Sequence, residues 1–300
     1  MSDYILSCCS TADLSKEHFE KRNIHYVCFH YYINDEEHRD DLYETSSPEE
    51  FFSEMAAAET SRTSQVNVEE FIEYFEQFLK DGKDILHVTL STGLSGVYGS
   101  ACTAANFLKE TYPDREIKIV DSLGASSGYG LLMDKLADLR DEGFSLEQLG
   151  GWAEANKLRV NHWFFSTDLT YYIRGGRISK ASGWFGTVLK ICPLLDMDED
   201  GHLVPRVKVR GKNNVIKAIV DKMEENADDG LKYADKCYIS MSACPEDAEA
   251  VADLIESRFK NLKGKVEINN VGTTIGSHTG PGTVAVFFWG KKREETASTT

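Results

Sequence analysis

Between residues 67 and 82 the apolar side chains Val68, Phe71, Ile72, Phe75, Phe78 and Leu79 recur at i, i+3, i+4 and i+7 spacing. That is the stripe of an amphipathic helix. Asn67 stands at the N-cap, Glu70 completes a capping box, and Gly82 stops the run. Ser47-Pro48-Glu49-Glu50 is a second helix start, with Phe51, Phe52 and Met55 as its apolar face. Between the helical segments lie short apolar runs. Residues 4–7, 24–33, 84–90 and 117–120 are rich in β-branched and aromatic side chains and read as strands. Residues 95–110 read as a helix and 124–140 as a loop passing into a helix, and Ser145 with Gln148 caps another. Strand and helix in alternation predict βαβ units and a parallel sheet.

After about residue 156 the pattern changes. Residues 162–166, 194–197, 202–209, 237–242, 266–271 and 283–289 read as strands, with a hairpin turn at Asp198-Glu199-Asp200-Gly201. Residues 169–173, 182–191, 214–225 and 245–259 read as helices. The expected fold class is therefore α/β with two domains. Residues 1–156 form an N-terminal parallel-sheet, Rossmann-like domain, and residues 157–300 a mixed α+β domain ending in a frayed polar tail over 291–300.

Composition narrows the function. The net charge of −16 argues against nucleic acid, whose phosphates demand basic patches. No apolar run approaches the ~20 residues that span a bilayer, and Met1-Ser2-Asp3-Tyr4 lacks the basic start of a secretory signal. The expectation is a cytoplasmic protein without stable membrane insertion. The seven cysteines form no CxxC pair and no HExxH occurs, so reduced thiols and no metal are expected. Basic islands at 174–180 and 206–212 are either scattered surface charges or contacts for an acidic partner or a phosphate.

The candidate chemistry lies in short polar motifs. Three predicted strands end in hydroxyl-rich loops: Ser7-Cys8-Cys9-Ser10-Thr11, Ser91-Thr92-Gly93-Leu94-Ser95-Gly96, and the loop from Asp121 to Gly128. Ligands of open parallel sheets bind outside the carboxyl ends of the strands, and a following helix turns free N–H groups there. A carboxylate or phosphate suits such a place; simple helix capping selects the same residues. Thr63-Ser64-Gln65, between two helices, reads as a ligand contact or as a cap. His278, within Gly276-Ser277-His278-Thr279-Gly280-Pro281-Gly282, reads as a structural histidine or as a hydrogen-bond donor to a carboxylate. Neither a P-loop, a G-x-G-x-x-G nor a G-x-S-x-G elbow is present.

Taken together, these motifs, with Ser10-Thr11-Ala12-Asp13-Leu14, Gly175-Gly176-Arg177-Ile178-Ser179 and Lys190-Ile191-Cys192-Pro193-Leu194-Leu195, resemble the DegV family over nearly the whole chain. That family includes the fatty-acid-binding subunits of bacterial fatty-acid kinase. The resemblance implies two α/β domains with a long-chain fatty acid held between them, and no cofactor. It implies carboxylate contacts from Thr63, Ser95, the Gly96 N–H and His278, with Ser64 and Gly280 as neighbours. It further implies that the acid is presented to the catalytic subunit of an ATP-dependent fatty-acid kinase for phospholipid synthesis, with Arg174 and Arg177 facing that partner or the head group. Cys9, Ser15, Val66 and Ser277 depart from the family pattern, Cys9 standing where an Asp is usual. Phe164, Phe165, Trp184, Phe185, Val188, Leu189 and Ile191 either line an acyl tunnel or pack a core. Two other readings stay open: a carboxylester hydrolase using Ser95 and His278, and a lipid-sensing regulator.

Overall fold

The computed structural model describes residues 4–58, 60–179 and 191–293. Trp184, Phe185, Val188 and Leu189, most of the 182–191 helix and residues 294–300 therefore lie outside the described residues.

The first sheet has the order β2-β1-β6-β7, with β1 (Tyr4–Cys9), β2 (His25–Val27), β6 (Asp84–Thr89) and β7 (Ile117–Asp121) all parallel. Its crossovers contain α1 (Lys16–Lys21), α3 (Val68–Lys80) and α4 (Val97–Thr111). The capping boxes read at Asn67, Ser47 and Ser145 are all present, opening α3, α2 (Pro48–Ala57) and α6 (Leu146–Asn156).

Residues 24–33, expected as one strand, are two. The Phe29 N–H donates to Ser10 Oγ (3.1 Å), and Phe29 O accepts from Asp40 N (2.9 Å). With both backbone groups so engaged, the chain leaves the parallel sheet. It re-enters a small antiparallel sheet, β4-β3-β5, made of β3 (His30–Ile33), β4 (Glu36–Arg39) and β5 (Ser61–Ser64). Thr63-Ser64-Gln65 is thus not a bare interhelical linker: Thr63 pairs with Tyr31 and Ser64 with His30.

The second large sheet, β10-β9-β8-β13-β11-β12, is formed by β8 (Val160–Ser166), β9 (Ile191–Met197), β10 (Leu203–Arg210), β11 (Cys237–Met241), β12 (Glu267–Asn270) and β13 (Thr283–Trp289). Every pairing is antiparallel except β11 with β12. Helix α8 (Lys212–Asn226) packs on β8, β9 and β13, and α9 (Pro245–Arg258) on β11 and β12. Helix α5 (Ser126–Asp141), from the first half, also seats on β8, β11 and β13. It approaches so closely that a Cβ on Gly128 would strike His162 and Phe287. Most of α5 is buried, as a helix between two layers must be. One hydrophobic core runs through both halves. The expected fraying from residue 291 does not begin there: buried Arg293 donates to Asp198 O (2.9 Å) and Leu123 O (2.6 Å).

Candidate functional site

A cavity of about 490 Å³ lies between the second large sheet and the loops beyond the carboxyl ends of the first. The pleat of the second sheet decides which side chains reach it. On β13 Thr283, Ala285 and Phe287 alternate toward it, and on β8 His162 and Phe164 do. Phe165, one position on, faces away, so only Phe164 of that pair lines the space; Ile191 does not. Leu90, Phe29, Met197 and Leu203 extend the apolar wall. A further side is α10 (Thr273–Thr279), a helix that takes in the first part of the Gly276–Gly282 motif. Its Thr274, Ile275, His278 and Thr279 share one face at helical spacing.

Polar groups gather at one pole: Thr63, Ser64, Gln65, Ser95, Gly96, Arg177 and His278. Six of the eight residues expected at the site are therefore together. Gly280 is not among the lining residues; it ends α10 at φ +63°, where a Cβ would strike the Tyr171 ring. Arg174 is also absent from the lining. It is exposed, lies over the Tyr171 ring at 4.8 Å and donates to Ser61 Oγ (3.4 Å). Gln65 was not singled out by itself, although it belongs to the same motif as Thr63.

Of the three hydroxyl-rich loops, only the one before α4 builds this pole. Ser10 Oγ donates to Asp40, Ser122 Oγ to Gly124 O and Ser127 Oγ to Asp13 O, so those hydroxyls hold the fold. Cys9 lies in the core against His87 rather than in the cavity, its Sγ 3.7 Å from Nε2.

The hydrogen bonds at the pole fix a direction. Burial, reinforced by the Arg177 charge, lowers the His278 pKa to about 3, so its ring is neutral at pH 7. Arg177 Nη1 approaches His278 Nδ1 (3.4 Å), and guanidinium only donates. The ring proton then belongs on Nε2, which donates to Thr63 Oγ1 (2.7 Å). With that lone pair occupied, the Thr63 O–H is free to donate into the cavity. Ser95 Oγ accepts from Val97 N (3.2 Å) and donates to Gln65 Oε1 (2.9 Å). Gly96, with no side chain to cap α4, leaves the start of that helix open toward the pole. The pole is a set of donors facing an apolar space. Among the described residues, no group of three or more His, Cys, Asp or Glu could hold a metal ion, and no helix is long and apolar enough to cross a membrane.

Fold and site define an α/β binding protein built on two large sheets, with donors clustered at one end of a largely apolar cavity. The chain belongs to the DegV family, whose model, described as an uncharacterised protein family, matches residues 9–291. A DegV domain-containing protein of Clostridium perfringens is 34% identical over 294 residues, covering 98% of this chain and all of the relative. Among solved structures, a DegV family protein of Thermus thermophilus, described as fatty-acid binding, superposes with a TM-score of 0.85 at 25% identity, over 96% of this chain and 99% of that one. The Fatty Acid Kinase (Fak) B3 protein of Streptococcus pneumoniae, loaded with linoleic acid, shares the fold at a TM-score of 0.83 and 21% identity, over 97% and 100% of the two chains.

Proposed function

We propose that this protein binds one long-chain fatty acid, with the carboxylate at the Thr63–Ser95–His278 pole and the acyl chain along β8, β13 and α10. The observation that carries this reading is the 2.7 Å contact between Thr63 Oγ1 and a neutral His278, which with the ring proton on Nε2 leaves the Thr63 hydroxyl proton for an anion. Hydrogen bonds to a charged acceptor are the stronger kind. Each buried methylene adds about 0.8 kcal/mol. The fatty-acid-binding description of the Thermus relative supports the same ligand. On this reading the cavity separates two lobes, with the boundary near residue 156.

We further propose that the bound acid is presented in the cytoplasm to an ATP-dependent kinase that converts it to an acyl phosphate. Arg174 supports this. Ser61 and Thr63 share one face of β5, so the guanidinium on Ser61 lies roughly 7 Å along the strand from the Thr63 hydroxyl. An exposed cation just beyond the carboxylate suits a partner carrying phosphate. The hydrolase reading finds no support in the geometry: Ser95 donates to Gln65 rather than to His278, and an arginine, not a carboxylate, backs the imidazole.

Calorimetric titration with a long-chain fatty acid and with its methyl ester tests the binding reading. Tight binding of the acid and much weaker binding of the ester is expected; equal binding would remove the carboxylate pole. Adding a fatty-acid kinase and ATP tests the second step. Acyl phosphate that forms only when this protein is present supports presentation, and its absence leaves a lipid binder alone.

A further inference from the structure

Helix α10 begins at Gly272, which has no side chain to cap it. The cap comes from the other half of the chain. Asp40 Oδ1 accepts from Thr273 N (3.1 Å) and Thr273 Oγ1 (2.9 Å), and its Oδ2 accepts from Ser10 Oγ (3.1 Å). Asp13 stands beside it, its Oδ2 accepting from Ser126 Oγ. A Cβ on Gly272 would lie 2.7 Å from Asp13 Oδ1 and 3.0 Å from Asp40 Oδ1. Both carboxyls therefore press on the same backbone position, and only glycine leaves room for them. Asp13 is 3% and Asp40 0% exposed. Ser10, Ser126 and Thr273 hydroxyls and the Thr273 backbone N–H donate to these carboxyls, and none of these donors is a cation.

We propose that Asp40 and Asp13 are positioning residues for the carboxylate pole. From either side of Gly272 they pin the start of α10 and thereby set where the His278 imidazole meets Thr63. This rests on the pole described under the proposed function. His278 is five residues along the helix from Thr273, about 7.5 Å at 1.5 Å per residue. The helix cannot relax sideways, because a Cβ on Gly276 would already lie 2.8 Å from the Phe51 ring. A tilt at Thr273 is therefore carried to His278, where a 2.7 Å hydrogen bond tolerates little displacement.

The proton is assigned by the donors. Asp40 receives three hydrogen bonds, two of them from Thr273, and is the better anion. Burial raises both carboxyls, and Asp13, pushed well above the usual carboxylate range by burial and then by Asp40, holds a proton the more readily. The titratable groups packed around the pair are Tyr31, Tyr43, Tyr129, Cys9 and Cys28, all raised by burial and so uncharged at neutral pH. Two ionised carboxylates here would repel, so ionising Asp13 beside Asp40 should loosen the helix start.

The test compares wild type, Asp13→Asn and Asp40→Asn. Imidazole ¹⁵N shifts of His278 are recorded without ligand, and fatty-acid affinity is measured from neutral to alkaline pH. Wild type should show a protonated Nε2 and lose affinity as the solution becomes alkaline. Asp13→Asn, a permanent neutral mimic, should resist the alkaline loss. Asp40→Asn should shift the His278 signals and bind roughly tenfold more weakly, as expected for a lost charge-assisted hydrogen bond. Identical His278 spectra and identical pH profiles in all three would overturn the proposal. If Asp40→Asn does not fold, wild type against Asp13→Asn still decides through the alkaline limb. The ligand-free spectra keep the test separate from the binding reading: a protein that binds no fatty acid would still show whether Asp40 sets the imidazole.

Discussion

At the pole of the cavity, Thr63, Ser95 and His278 come from β5, the loop before α4 and α10, three elements from distant parts of the chain. Along the body, Phe164, Ala285 and Phe287 come from two neighbouring strands of one sheet. The pole depends on hydrogen-bond direction, so each side chain has one acceptable partner. The body depends on area removed from water, which has no direction and accepts any apolar neighbour of the right size. Damage to the body should therefore cost affinity in proportion to volume. Damage at the pole should cost a fixed amount per hydrogen bond.

The largest effect is expected from filling the body. Ala285→Trp would displace roughly four methylenes, about 3 kcal/mol of binding at about 0.8 kcal/mol each, or more than a hundredfold in Kd by titration calorimetry. Unchanged affinity would place the chain elsewhere. Next come His278→Ala, which removes the group that orients the Thr63 hydroxyl, and Ser95→Ala, whose proton must turn from Gln65 Oε1 to reach the ligand; each is expected to weaken binding by about 1–3 kcal/mol, the range for hydrogen bonds at a charged group. The His278 change should be the greater, because it also releases Thr63. The effect should vanish with a methyl ester as ligand; a loss that persists with the ester would mean the pole acts by packing.

Acid sensitivity follows from two buried histidines, His87 and His162, and the half-buried His278. His87, His162 and His278 are each lowered to about 3, burial being the first cause in every case. The unfolded chain binds these protons from about pH 6.5 downward and the folded chain does not. Their neutral burial therefore favours folding above about 6.5, and that contribution is lost as pH falls toward 3. Each adds up to about 1.4 kcal/mol per pH unit to the slope of stability against pH. Denaturant midpoints measured across that window should fall with acid, and His278→Gln should flatten the slope by about one proton's worth. An unaltered slope would mean that His278 is protonated in the folded protein. The smallest effect is expected from Arg174→Ala: within about 0.5 kcal/mol on fatty-acid affinity, as for an ordinary surface change, with acyl phosphate formation reduced. A large loss of lipid affinity would place Arg174 at the head group instead.

The same contrast explains what could be read from the chain. The capping boxes at Ser47, Asn67 and Ser145 are local and legible, and so are the apolar runs of β6 and β13. Thr63, Ser95 and His278 stood out because clustered hydroxyls and glycines contribute little to a core. What hid β5 was polarity: four residues, Ser61 to Ser64, with no apolar alternation, owe their strand conformation to pairing with β3. Helix α10 was hidden by its composition of Thr, Gly and Ser, and by a cap that arrives from Asp40, more than two hundred positions away. The body could not be separated from the core, since Phe164 and Phe165 differ only in the side of the pleat they occupy.

The central claim is that this cavity holds a fatty acid by its carboxylate. Mass spectrometry of the purified protein, native and then denatured, tests it most directly, with His278→Ala alongside. The account predicts a native mass excess equal to one long-chain fatty acid, lost on denaturation, recovered as the free acid and diminished in the variant. A native mass equal to that of the bare chain, unchanged after incubation with added fatty acid, would contradict it.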